Sequence, residues 1–119
     1  MKAIVKSIWL DSATIDLDTY LPDDPECFGL WIEFRVGITD RDGADDFRLF
    51  VCTPEWLKSE RSRQRTIWGR HMLFVFEYDL DEIKAEIDRR VESCKGDDWL
   101  AIARQIARFA AWEFEDYQP

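Results

Sequence analysis

Residues 30–51, LWIEFRVGITDRDGADDFRLFV, decide the fold. Leu30, Ile32, Phe34, Val36 and Ile38 fall on every second position, which sends them to one face of a strand and Trp31, Glu33 and Arg35 to the other. Thr39-Asp40-Arg41-Asp42-Gly43 then supplies a polar turn, and Phe47, Leu49 and Val51 resume the period of two. The stretch predicts an antiparallel hairpin with one apolar face. Working outward, Ala3 to Leu10 alternates in the same way and predicts another strand. Met72 to Phe76 is unbroken apolar, which predicts a strand that lies centrally in the sheet or is covered on both faces.

Helical signals follow. Thr53 with Pro54 predicts a short helix through Glu55, Trp56 and Leu57, because proline at the first helical position gives up an N–H that has no partner there. Asp79 and Glu82 have the spacing of a capping box, after which Leu80, Ile83, Ile87, Val91 and Cys94 recur every three or four residues up to Gly96. Asp98 predicts the start of a last helix, with Trp99, Ile102, Ala103, Ile106 and Phe109 or Ala110 buried and Arg104, Gln105 and Arg108 facing water. Strands first and helices last indicate an α+β fold. The expectation is a single domain over residues 1–119: a small antiparallel or mixed sheet of about four strands, covered by two C-terminal helices, plus one short helix.

With 46% hydrophobic residues and six Trp among 119, the chain has enough apolar area to fold despite its charge. Asp and Glu number 25 against 16 Lys and Arg, a net charge of −9. A field of that sign repels nucleic acid and anionic membrane and steers cationic protein surfaces inward. Catalytic vocabulary is sparse. The one His, His71, stands at the edge of an apolar run without a nucleophile at motif spacing, which favours a structural role. Cys27, Cys52 and Cys94 are widely spaced, without a CxxC, and read as reduced thiols. No cofactor, metal or enzymatic activity is expected. The N-terminus alternates instead of forming the apolar run of a signal peptide, and no stretch is long enough to span a membrane, so a cytoplasmic protein is expected.

The acids are unevenly placed. Asp40, Asp42, Asp45 and Asp46 crowd the expected hairpin turn, where the spacing matches no EF-hand. Residues 11–27 carry six acids, Asp23, Asp24 and Glu26 among them, and no base, with Pro22 and Pro25 marking a loop. Residues 58–70 are the counterweight, with five bases and one acid, Glu60. Glu113, Glu115 and Asp116 follow the last helix, where like charges oppose one another and the negative end of the helix dipole. They pair either with Arg70 or another base of the same chain, or with a cationic partner, and the sequence leaves both open.

Four motifs in order carry a family resemblance: Val51-Cys52-Thr53-Pro54-Glu55-Trp56-Leu57; Gly69-Arg70-His71-Met72-Leu73; Val91 through Trp99, VESCKGDDW; and Trp112-Glu113-Phe114-Glu115-Asp116-Tyr117. Together they resemble the immunity protein 8 family. The resemblance implies a cytosolic bacterial protein of a polymorphic toxin system, made beside a toxin and binding it to protect the producing cell. Trp56, Trp99 and Trp112, at helix positions, read first as core packing.

These observations support an immunity protein that neutralises a cognate toxin, such as a nuclease with a basic cleft, through acidic loops and one or two aromatic anchors. The alternative is a general acidic adaptor with no toxin partner. A two-carboxylate hydrolase is disfavoured, because nothing in the sequence builds the pocket that such chemistry needs. The expected partner-binding residues are Asp40, Asp42, Asp45, Asp46, Asp23, Asp24, Glu26, Glu113, Glu115 and Asp116.

Overall fold

The computed structural model describes residues 1–60 and 63–115. Five strands and three helices occur among them: β1 Ala3–Leu10, β2 Gly29–Ile38, β3 Asp45–Cys52, α1 Pro54–Glu60, β4 Met72–Phe74, α2 Leu80–Glu92, α3 Trp99–Ile106 and β5 Ala111–Trp112. The fold is α+β around a mixed sheet. β1, β2 and β3 form an antiparallel meander. The far edge of β3 is shared: β4 pairs with it in parallel from Phe50 to Cys52, and β5 antiparallel at Phe47 and Arg48.

Alternation places the core as the sequence predicts. Ile32, Phe34 and Val36 of β2 and Phe47 and Val51 of β3 are wholly buried, and Ile83, Ile87 and Val91 of α2 with Ile102, Ala103 and Ile106 of α3 close over them. Truncating one of the large members to Ala should cost about 2–5 kcal/mol through lost transfer energy and the cavity left behind. Both long helices start at the predicted caps: Asp79 Oδ1 accepts from Glu82 N, and Asp98 Oδ1 from Ala101 N. Thr53, fully buried, accepts at Oγ1 from Trp56 N and from Phe28 N, so it caps α1 and ties the loop before β2 to the end of β3.

Several expectations are corrected. Met72 to Phe76 is not a central strand: only Met72–Phe74 pairs, at the sheet edge, and Phe74 and Phe76 are 49% and 82% exposed. The apolar run is consistent with parallel pairing, which needs a crossover, and α1 lies on that crossover between β3 and β4. Asp45 and Asp46 lie in β3, opposite Val36 and Arg35, and not in the turn. The turn itself is tight, with Asp40 at φ 64 and Gly43 at φ 90, conformations that Asp tolerates and Gly adopts freely. α3 ends at Ile106, although Ala110 beyond it is still wholly buried. Gln105 does not face water: its amide bonds the backbone N and O of Lys95, locking the α2–α3 connection to α3. Trp56 is outside the core, on the opposite face of the sheet. An added Cβ at Gly29 would come within 2.6 Å of its ring, so the glycine makes room for it.

Candidate functional site

The helices α2 and α3 cover one face of the sheet. Cross-strand pairs line the other, with Trp31 opposite Phe50, Glu33 opposite Arg48 and Arg35 opposite Asp46. The Arg48 guanidinium lies 4.5 Å from the centroid of Trp31 and bonds Asp11 at 2.9 Å, and Trp9 Nε1 donates to Glu33 at 2.8 Å. Phe50 packs against Trp56 with centroids 4.9 Å apart. Nearby, Trp68 is 93% exposed. This open face is amphipathic, and its charges are largely matched to one another.

The acids singled out in the sequence fall at two ends of the sheet. Asp40 and Asp42 are exposed at the β2–β3 turn, where Lys6 Nζ reaches in to donate to Arg41 O and Gly43 O. Beside them, Asp45 Oδ2 accepts from both Trp99 Nε1 at 2.8 Å and Trp112 Nε1 at 3.0 Å, clamping β3 to α3 and β5. Asp46 forms a two-pronged pair with Arg35, and Glu113 continues the β5 contact by accepting from Asp46 N. Glu115 pairs with Arg70 at 2.8 Å, so of the two partners open to it in sequence, the structure shows the base of its own chain. Asp116, like Arg61 of the basic connection, lies outside the described residues.

Asp23, Asp24 and Glu26 lie at the other end, just before β2. A strand of ten residues separates them from the turn by roughly 30 Å, so one small contact cannot hold both groups. Their loop is docked: Tyr78 N donates to Pro25 O at 2.7 Å, and Tyr20 packs edge-on against Tyr78. Burial first, and Asp23 second, raises the Tyr20 pKa.

Sequence reasoning missed the surface next to this loop. Between residues 73–79 and the outer side of α2 runs a groove of about 910 Å³. Leu73, Val75 and Ile83 lie along it, Phe74 and Phe76 border it, and Glu77, Asp79, Glu82 and Glu86 line it with Arg89. Arg89 is already paired with Glu86, while Glu77, Asp79 and Glu82 form no ion pair among the described residues. The signal that could have found it is the apolar run ending in Phe76-Glu77, where a side chain exposed on an edge reads in sequence like one buried in the middle.

Burial pushes the Cys52 thiol up to about 11 and, less strongly, raises Cys94, so both stay protonated and poorly nucleophilic at neutral pH. His71 Nε2 lies 3.1 Å from Ala107 O and so serves as a tether between β4 and the end of α3. Among the described residues no three His, Cys, Asp or Glu side chains converge as metal ligands do, and no helix is long and apolar enough to cross a membrane.

A family model described as Immunity protein 8 matches residues 3–117, and the chain belongs to that family. No curated protein and no solved structure matches it.

Proposed function

We propose that this member of the immunity protein 8 family is a binding protein without catalytic activity, which neutralises a cognate toxin of a polymorphic toxin system in the cytoplasm of the cell that makes both. Family membership across residues 3–117 carries the reading. The net charge of −9 supports a toxin with a basic surface, such as a nuclease whose cleft is built to hold polyanions. Of the acids singled out in sequence, Asp23, Asp24, Glu26, Asp40 and Asp42 are exposed and form no ion pair among the described residues. They can meet a partner without first giving up an ion pair, although Asp24 Oδ1 accepts from Glu26 N within its own loop. Asp45, Asp46, Glu113 and Glu115 would have to be released from internal partners.

The test is co-expression with the toxin domain encoded beside this gene. Cells carrying the toxin should survive only when this protein is present, and the purified pair should co-elute as a stoichiometric complex. Death at the same toxin dose with and without the protein, together with separate elution, would overturn the reading and leave the general adaptor.

A further inference from the structure

We infer that the free edge of β4, together with the groove between it and α2, receives an extended basic segment of the toxin as an added strand. The inference rests on the toxin-binding reading and names where and how that partner docks.

Backbone geometry supplies the first part of the argument. Phe50 N donates to His71 O and Val75 N to Cys52 O, so residues 71 and 75 turn their polar groups toward β3. Strand alternation then turns the N–H and C=O of Met72 and Phe74 away from the sheet, where among the described residues no further strand pairs with them. Natural edges are blunted with bulges, charge or proline. The opposite edge, β1, shows such a device in its bulge between Val5 and Ser7 and in Lys6. β4 has no bulge, proline or charge and is blunted only by its length of three residues, with Phe74 at its end and Phe76 just beyond it 49% and 82% exposed. An incoming strand would pair with the open backbone groups and lay alternate side chains into the groove and against these rings.

Charge supplies the second part and selects the occupant. Glu77, Asp79 and Glu82 have no ionic partner among the described residues, and the bond from Tyr78 N to Pro25 O brings the loop bearing Asp24 and Glu26 alongside. The three strand residues from Met72 to Phe74 span roughly 7 Å and turn the backbone groups of two of them outward, room to pair with a segment of about three residues. Such a segment would alternate apolar and basic side chains, the apolar ones toward Leu73, Val75 and Phe76 and the basic ones toward the carboxylates.

Two probes test this. One is the toxin encoded beside the gene. The other is a nine-residue peptide of alternating lysine and valine, blocked at both ends, titrated into the isotope-labelled protein at low salt with a glutamate-for-lysine peptide as control. Phe74→Pro removes an outward N–H that β3 does not use, and Phe76→Ser removes an exposed ring, so both variants should melt like the wild type. Each should weaken toxin binding and peptide binding by about tenfold or more. Glu77→Gln with Glu82→Gln should slow association several-fold at low salt and flatten its dependence on ionic strength. Trp68→Ser, on the open face, should change nothing. Amide shifts on adding the lysine peptide should centre on Met72, Phe74 and Phe76.

Normal protection and normal toxin binding by every groove variant overturn the inference while leaving the toxin-binding reading intact. So does a loss confined to Trp68→Ser, which would move the contact to the open face. If the toxin does not bind the wild-type protein, the broader reading fails, and the peptide judges the groove alone: absent or equal shifts with the two peptides overturn it. Self-association that Phe74→Pro abolishes would assign the edge to a second copy of this chain, and also overturns it.

Discussion

At the turn end of the sheet Asp45 and Asp46 are held by Trp99, Trp112 and Arg35, whereas at the loop end Glu77 and Glu82 face a groove without an ionic partner among the described residues. All four carry the same charge, and in sequence the first pair looks the more conspicuous because it belongs to a run of four Asp in seven residues. The difference teaches that acidic density does not measure readiness to bind. A carboxylate that accepts two indole N–H bonds is part of the scaffold, since releasing it would strand two polar donors. One that sits beside exposed rings and an open strand edge has nothing to give up before meeting a cation.

The contrast breaks most visibly at Asp45. Asp45→Ala should lower unfolding free energy by about 3 kcal/mol, because both indole donors lose their acceptor in a partly buried site. Asp45→Asn keeps an oxygen there and should cost clearly less. Urea denaturation measures both, and an Asp45→Ala protein as stable as the wild type would show that Asp45 is surface charge after all.

Association kinetics sharpen the contrast next. Asp40→Asn with Asp42→Asn leaves folding within about 0.5 kcal/mol, as surface changes usually do. Stopped-flow mixing with the toxin at low salt should find its association rate reduced less than that of the Glu77→Gln and Glu82→Gln double variant. The reverse order would return the docking surface to the turn.

A smaller effect is expected at Tyr78, which lines the groove while its hydroxyl is buried with no hydrogen-bond partner among the described residues. Its pKa is raised first by burial and then by Tyr20 and Asp18. Tyr78→Phe removes the stranded oxygen and keeps the ring contacts with Tyr20 and Phe28, so stability should hold or rise by up to about 1 kcal/mol. A thermal melt with a clear loss would mean that the hydroxyl has a partner in solution.

The smallest effect concerns Asp88, on the same helix as Glu82 and Glu86. Partial desolvation first, and Glu92 second, raise its pKa above 3.8 against a smaller lowering by Lys84. A raised carboxyl pKa means that the folded protein holds this proton more tightly than the unfolded chain does. Stability from this group is therefore present below the unfolded value and is lost as pH rises through the folded one. Asp88→Asn should raise the melting temperature slightly at pH 7 and leave it unchanged near pH 3. An equal shift at both pH values would assign the effect to something other than titration.

Much of the fold was legible because it is written in short-range periodicity. The β2 and β3 alternation, the α2 stripe and the caps at Thr53, Asp79 and Asp98 depend on neighbours within four residues, and each recurs in the structure. The site was much less legible. Asp45 meets Trp99 and Trp112 across 54 and 67 residues of chain, and Glu115 meets Arg70 across 45. No local pattern announces such pairs. Trp56 shows the same limit: an aromatic on a short helix reads as core, and only the position of α1 over Gly29 puts it on the open face.

The sequence by itself therefore determined the α+β class, the hairpin, the helix starts, the charge and the family motifs, all of which follow from residue type and local spacing. Tertiary structure alone decided that Met72–Phe74 is an edge and not a centre, because a continuous apolar run has no period to say which side is covered. It also decided which acids are already bonded and which remain open, because a carboxylate's partner is set by where the chain returns in space.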